Sequence, residues 1–267
     1  MYKIGIIGVG NMGEAILKAL ISKANIKSDS VIIFDIDRQK LNALEKSLKV
    51  KTASSIKDIT KAKYIFLVVK PKDYKDVLSS LKESISENNI IISVLAGIKI
   101  ESIKNIIGEI PVVRIMPNTP MLVGEGAIGV AFDNLIKEDD KIYLSKLFSS
   151  IGETVFVKEE FLDAITGLSG SGPAYVFTFI EAMVLGGVKM GLSYEDSLKL
   201  TVQTVLGSAK MLKEIKEHPA ILRDKVSSPA GTTIYALHEL EKRGFKDAVI
   251  SAVEQATKRS RELSKNQ

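Results

Sequence analysis

A short apolar run, Lys3-Ile4-Gly5-Ile6-Ile7, breaks into Gly8-Val9-Gly10-Asn11-Met12-Gly13, and Glu14-Ala15-Ile16-Leu17-Lys18-Ala19-Leu20 follows with helical periodicity. Strand, glycine turn and helix in that order restrict this chain more than any other feature. It is the context in which Gly-x-Gly-x-x-Gly receives the pyrophosphate of a dinucleotide. Gly8 allows the tight turn, Gly10 lets backbone approach the phosphates, and Gly13 lets the helix pack close to the strand. The free N–H groups and positive dipole end of the helix then face the anion. The same pattern also occurs as a glycine-rich turn without a ligand, so the rest of the chain must decide.

Up to about residue 160, apolar strands alternate with helices. Val31–Phe34, Tyr64–Val69, Ile90–Leu95, Pro111–Met116 and Gly126–Phe132 read as strands. Helical patterns cover 39–48, 73–85, 101–107 and 137–149. Continuously apolar strands between helices predict a parallel sheet covered on both faces. Beyond 160 strand-like runs stop, and helical periodicity covers 175–190, 194–216, 231–243 and 246–263. Ser193 is placed to cap the second of these and Gly244 to stop the third. The expected architecture is α/β. A Rossmann-type, doubly wound, mainly parallel sheet over 1–160 precedes an all-α dimerisation domain over 161–267. The segment Tyr175–Gly187 is apolar nearly all round, with Glu181 its only charge, which predicts burial against a second subunit.

Composition narrows the function. The chain has 267 residues and no cysteine, which removes disulfides and thiolate chemistry; zinc would rely on two histidines and carboxylates, and no metal site is expected. The net charge of +5 comes from lysines interleaved with acids, and aromatics make up only 6 %, so no nucleic-acid surface is expected. No charged leader precedes the first strand and no apolar run reads as membrane-spanning, which makes a soluble cytoplasmic protein the expectation.

Candidate site residues cluster at strand ends and in two loops. Asp35 ends the second strand, where a carboxylate binds the adenosine ribose of NAD and repels the 2′-phosphate of NADP; Arg38 could pair with that phosphate instead. The choice between cofactors stays open on these residues and leans towards NAD. Val69-Lys70-Pro71, Leu95-Ala96-Gly97 and Arg114-Ile115-Met116-Pro117-Asn118-Thr119-Pro120 follow later strands, on the edge where open α/β sheets bind ligands. Small residues at 96 and 97 would leave room for a nicotinamide. The loops Ser169-Gly170-Ser171-Gly172-Pro173-Ala174-Tyr175 and Ser227-Ser228-Pro229-Ala230-Gly231-Thr232-Thr233 could surround a carboxylate, although on pattern alone helix capping is the better reading of both. His218 and His238 read as structural or surface residues, since neither belongs to a dyad or a metal spacing.

Taken together these motifs resemble the Δ1-pyrroline-5-carboxylate reductases, over essentially the whole length. The markers are Gly8-Val9-Gly10-Asn11-Met12-Gly13, Val69-Lys70-Pro71 and Arg114–Pro120. The most specific are Leu168–Tyr175, His218-Pro219 with Leu222-Arg223-Asp224, and Ser228–Ile234. The resemblance implies reduction of a cyclic imine to L-proline by NADPH or NADH, the last step of proline synthesis. It implies that Gly8, Asn11, Met12, Ser55, Val69, Lys70, Val94, Leu95 and Ala96 line the cofactor; Gly10, Gly13, Asp35 and Pro71 join them on the motif and strand-end reading. Ser171, Gly231, Thr232 and Thr233 would hold the substrate, with Thr233 on the ring nitrogen as the catalytic residue. It also implies a homodimer built through the helical domain, a site shared between nucleotide domain and partner helices, and assembly into pentamers of dimers. Two residues depart from the family pattern. Ala230 stands where a second glycine is usual, a small change by size. Asp35 replaces the small polar residue of NADP-preferring members.

Three other readings compete. β-Hydroxyacid dehydrogenases share Gly167-x-x-Gly170-x-Gly172, but this chain has Val176 and Ile180 where they carry a lysine and an asparagine. A non-catalytic nicotinamide sensor need not keep the loops around Ser171 and Thr233. A nucleic-acid binder rests on net charge alone.

Overall fold

The computed structural model describes residues 2–265, so the expected outer ends of the two domains, residues 1 and 267, lie outside it. The chain divides into two compact units, Met1–Ser171 with Glu254–Gln267, and Gly172–Val253. The division expected at 160 therefore falls eleven residues later, and the end of the last helix belongs to the first unit. The reason is local: Asp163 binds that last helix through Ser260, whose Oγ donates to Asp163 Oδ1 at 2.6 Å.

In the first unit the strands are β1 (Tyr2–Ile7), β2 (Val31–Phe34), β3 (Lys51–Thr52), β4 (Ala62–Leu67), β5 (Ile90–Ser93), β6 (Val112–Met116), β7 (Gly126–Phe132) and β8 (Gly152–Phe156). They form one sheet in the order β3-β2-β1-β4-β5-β6-β7-β8. The first six in that order run parallel, β7 is antiparallel to β6, and β8 is parallel to β7. The helices are α1 (Asn11–Ser22), α2 (Arg38–Leu48), α3 (Tyr74–Leu81), α4 (Ile100–Ile107), α5 (Glu138–Ser149) and α6 (Leu162–Ile165).

The sheet is buried on both faces because its strands are apolar at both parities. Ile4, Ile6, Val31, Ile33, Tyr64, Phe66, Ile90 and Ile92 enter one core cluster. Ile7, Ile32, Ile65, Leu67 and Ile91, the residues between, enter the other. That alternation follows from the two-residue period of a strand, and each such side chain contributes about 1.5–3 kcal/mol on burial. β3 and β8 escape the sequence reading because they lack this signal. β3 is two residues long, and β8 leaves Val155 and Phe156 half exposed at the sheet edge.

One buried polar group pins α5 to the sheet. Asp140, in its first turn, accepts the Tyr64 hydroxyl at 2.7 Å and pairs with Lys63 Nζ at 2.6 Å. Burial raises the Asp140 pKa, but Lys63 and Tyr64 outweigh it and hold the carboxyl below its ordinary 3.8. A carboxyl depressed in the folded state contributes stability above its unfolded pKa and loses it as pH falls through the folded value. The stability gap between wild type and Asp140→Asn should therefore shrink when the urea midpoint is followed from about pH 5 to about pH 3. A constant gap would refute this role.

The second unit is helical: α7 (Gly172–Lys189), α8 (Tyr194–Ile215), α9 (Pro219–Lys225), α10 (Thr232–Lys242) and the start of α11 (Phe245–Lys265). Ser193 caps α8 by accepting Asp196 N–H at 3.0 Å, and Gly244 takes φ +68° after α10. α9 starts at Pro219, and His218 Nδ1 accepts the Ala220 N–H at 3.2 Å, a capping role for that histidine. Within this chain α7 buries only Val184, while Phe177 and Leu185 are 63 % and 57 % exposed, an apolar surface of the kind expected to be covered by a second subunit. The helical stretch Glu159–Lys189 is also long and apolar enough to span a membrane by length and composition, contrary to the sequence reading. The helix preceding α7 extends the apolar run beyond what the 175–187 window shows.

Candidate active site

The glycine turn lies where the strand order reverses, between β1 and β4. Gly8 takes φ +89°, and a Cβ there would stand 2.4 Å from the Val68 carbonyl oxygen. A Cβ on Gly13 would stand 2.0 Å from the Gly8 oxygen, whereas one on Gly10 meets nothing within 4 Å. Gly8 and Gly13 thus bring strand, turn and helix together, and Gly10 faces open space. Gly10 caps α1 without a side-chain hydrogen bond, so the Asn11, Met12 and Gly13 N–H groups lack intrahelical partners. An open, positive helix end behind a glycine with clear space fits a dinucleotide pyrophosphate.

Beside this turn is a cavity of about 270 Å³ lined by Met12, Val68, Val69, Pro71, Val94, Leu95, Ala96, Met116 and Pro117. Six of these are among the expected cofactor residues, Met116 and Pro117 belong to the strand-end motif at 114–120, and Val68 was not expected. None carries an ionisable group. Lys70 is exposed between Val69 and Pro71. Ser55 caps a short 3₁₀ turn with Asp58, its hydroxyl accepting Lys57 N–H at 3.3 Å. Gly97 does not leave room for a ring. It takes φ +76°, and a Cβ there would press at 3.1 Å on Leu263 of α11.

Asp35 leaves β2 with both oxygens engaged: Oδ2 accepts Val9 N–H at 2.7 Å and Oδ1 accepts Asp37 N–H at 2.9 Å. Arg38 turns to the Ala53 and Ser54 carbonyls, donating at 3.0 and 2.7 Å.

The motif at 114–120 is structural in ways its pattern does not reveal. Arg114 is 1 % exposed; its Nη1 donates to Glu159 Oε1 at 3.1 Å and Nη2 lies 3.9 Å from Asp163 Oδ1. Glu159 Oε1 also accepts Ile100 N–H at 2.8 Å. Asn118 Nδ2 donates to the Ser169 carbonyl at 3.0 Å and its Oδ1 accepts Ala127 N–H at 2.8 Å. Asn118 therefore anchors the segment 166–170, which is a widened helical turn and not the expected loop. Ser171 N–H closes that turn onto Thr166 O at 2.8 Å. Such π-type turns recur at functional sites.

In the second unit, Gly231 caps α10 with no side-chain bond, so Thr232, Thr233 and Ile234 N–H groups lack intrahelical partners. A Cβ on Gly231 would stand 2.3 Å from Ser228 Oγ. Ala230 takes φ +55°, so its methyl is not the small change its size suggests. Left-handed backbone costs a non-glycine residue roughly 1–2 kcal/mol, partly offset by the greater unfolded entropy of glycine. Ala230→Gly should accordingly stabilise by about 0.5 kcal/mol, seen as a small rise in thermal midpoint. A fall would contradict the strain.

Comparison with known proteins gives the family. Residues 159–263 match the family model described as pyrroline-5-carboxylate reductase dimerisation, and residues 3–97 match NADP oxidoreductase, coenzyme F420-dependent. The chain is 41 % identical over 264 residues to pyrroline-5-carboxylate reductase of Pisum sativum, covering 98 % of this chain and 96 % of that one. It is 37 % identical over 266 residues to that of Escherichia coli, covering 99 % of each. The crystal structure of Plasmodium falciparum pyrroline carboxylate reductase with NADP bound matches with a TM-score of 0.90 and 34 % identity, covering 98 % of each chain. The chain belongs to the pyrroline-5-carboxylate reductase family.

Proposed function

We propose that this protein reduces the cyclic imine 1-pyrroline-5-carboxylate to L-proline with NADPH or NADH, the last step of proline biosynthesis. The observation that carries the reading is the apolar cavity beside an open glycine-turn helix end, in a chain that matches such reductases along its whole length. Bound NAD(P)H supplies the hydride. Gly8, Gly10 and Gly13 shape the turn, the Asn11, Met12 and Gly13 amides take the pyrophosphate, and Asp35, Ser55 and Lys70 lie along the rest of the nucleotide. Met12, Val69, Pro71, Val94, Leu95 and Ala96 exclude water from the reacting ring.

A protonated imine is already electrophilic, so its carbon accepts hydride while its nitrogen keeps the proton. Orientation then matters more than an acid or base, in keeping with cavity walls that carry no ionisable group. The free amides of Thr232 and Thr233, with Gly231, hold the substrate carboxylate, and the Thr233 hydroxyl accepts from the ring N–H; Ser171 is the further substrate residue that the resemblance implies. Thr233→Ala should lower kcat/KM for the imine roughly 10²-fold, and Thr233→Ser should restore most of it. Unchanged kcat/KM in Thr233→Ala would remove the residue from the mechanism.

The exposed apolar side chains of α7 pack against a second copy of the chain, forming a homodimer through the helical domain and not a membrane span. The extent of the dimerisation match supports this. Assembly of five dimers into a decamer rests on the family resemblance alone, and a cytoplasmic location rests on the sequence reading. Light scattering should give a mass of two or ten chains, and a monomer would overturn the assembly.

A further inference from the structure

We propose that this chain selects NADH over NADPH, through a carboxylate that the fold clamps in place at the end of β2. The clamp is the pair of bonds from Val9 and Asp37 N–H to the two oxygens of Asp35. An ionised carboxylate has about four acceptor positions, so one remains on each oxygen. Two adjacent acceptors suit the neighbouring 2′- and 3′-hydroxyls of an unphosphorylated ribose. Held at both ends, Asp35 cannot swing aside to admit a 2′-phosphate.

The surrounding charges do not rescue that phosphate. Asp37, two residues on, directs its Oδ1 to Lys40 N–H at 3.1 Å as the cap of α2. Arg38, the nearest guanidinium in sequence, is drawn off by the Ala53 and Ser54 carbonyls. The Lys40 ammonium lies 3.3 Å from Glu14, which also binds Lys18 at 2.8 Å. Asp35, Asp37 and Glu14 thus balance Arg38, Lys40 and Lys18 around the end of β2. A phosphate dianion would meet a fixed negative charge in a partly buried position, where repulsion is weakly screened.

The inference rests on the reductase reading for its cofactor, but the test is binding, with no imine present. NADH and NADPH are titrated with the wild-type protein, and nicotinamide fluorescence gives each Kd; the chain has no tryptophan to complicate the signal. Adenosine 5′-phosphate and adenosine 2′,5′-bisphosphate are then compared as displacers, which isolates the ribose end. NADH should bind roughly tenfold tighter or more, and the bisphosphate should displace poorly. Asp35→Asn, which keeps the shape without the charge, should bring the ratio near one, and Asp35→Ser should favour NADPH. Equal or tighter NADPH binding by wild type overturns the preference and leaves the reductase reading standing. So does an unchanged ratio in both variants. Failure of wild type to bind either nucleotide would overturn the reductase reading and this inference together.

Discussion

Gly13→Ala is expected to weaken nucleotide binding about 10²-fold, the size of effect that a misplacement of about 1 Å produces in a site of this kind. The added methyl would start 2.0 Å from the Gly8 oxygen and 3.0 Å from its carbon, closer than real Cβ atoms approach backbone. The Gly8 carbonyl has little freedom to give way, because the Gly8 N–H is bonded to the Phe34 carbonyl of β2 at 2.8 Å. The start of α1 must therefore retreat and carry the Asn11 and Met12 amides with it. Overpacking of this kind also costs about 1–3 kcal/mol in stability. Gly10→Ala is the informative control, because its methyl meets nothing within 4 Å and Gly10 has φ −60°. It should melt like wild type yet bind nucleotide less well, its methyl occupying the space meant for phosphate. Titration and thermal melting of both variants check the pair, and wild-type affinity in Gly13→Ala would refute the role given to the turn.

The largest stability effect is expected at Arg114. Its guanidinium is almost wholly buried between Glu159 and Asp163, which in turn hold the first amide of α4 and Ser260 of α11. Arg114→Met removes the buried cation and leaves the part-buried carboxylates of Glu159 and Asp163 without it, a change that costs about 3 kcal/mol. For a unit of this size that is a fall of about 6–12 °C in thermal midpoint. Adding Glu159→Gln and Asp163→Asn to Arg114→Met should recover part of the loss, because the uncompensated charges are then gone. A shift within error in Arg114→Met would show that the network contributes nothing.

Legibility of the fold followed burial on two faces. β2 and β7 have the bounds that their apolar runs predict, and β1 with its glycine turn announces itself. Strands at the edge carried no such signal, so β3 and β8 were missed. At the candidate site, the turn glycines and most cavity walls were legible because they follow strands directly. What escaped were roles set by distant partners. Gly97 is small because α11 passes over it, and Asn118 bridges Ala127 and Ser169. Arg114 answers to acids about 45 residues away. The local strain at Ala230 was also invisible, because an alanine does not reveal its φ.

The most direct measurement follows loss of NADH and NADPH absorbance in parallel, with and without 1-pyrroline-5-carboxylate, and identifies the product. The account predicts imine-dependent oxidation that yields L-proline in step with cofactor consumed, faster with NADH at equal low cofactor concentration. A folded protein that binds nucleotide but oxidises neither cofactor in the presence of the imine would contradict it.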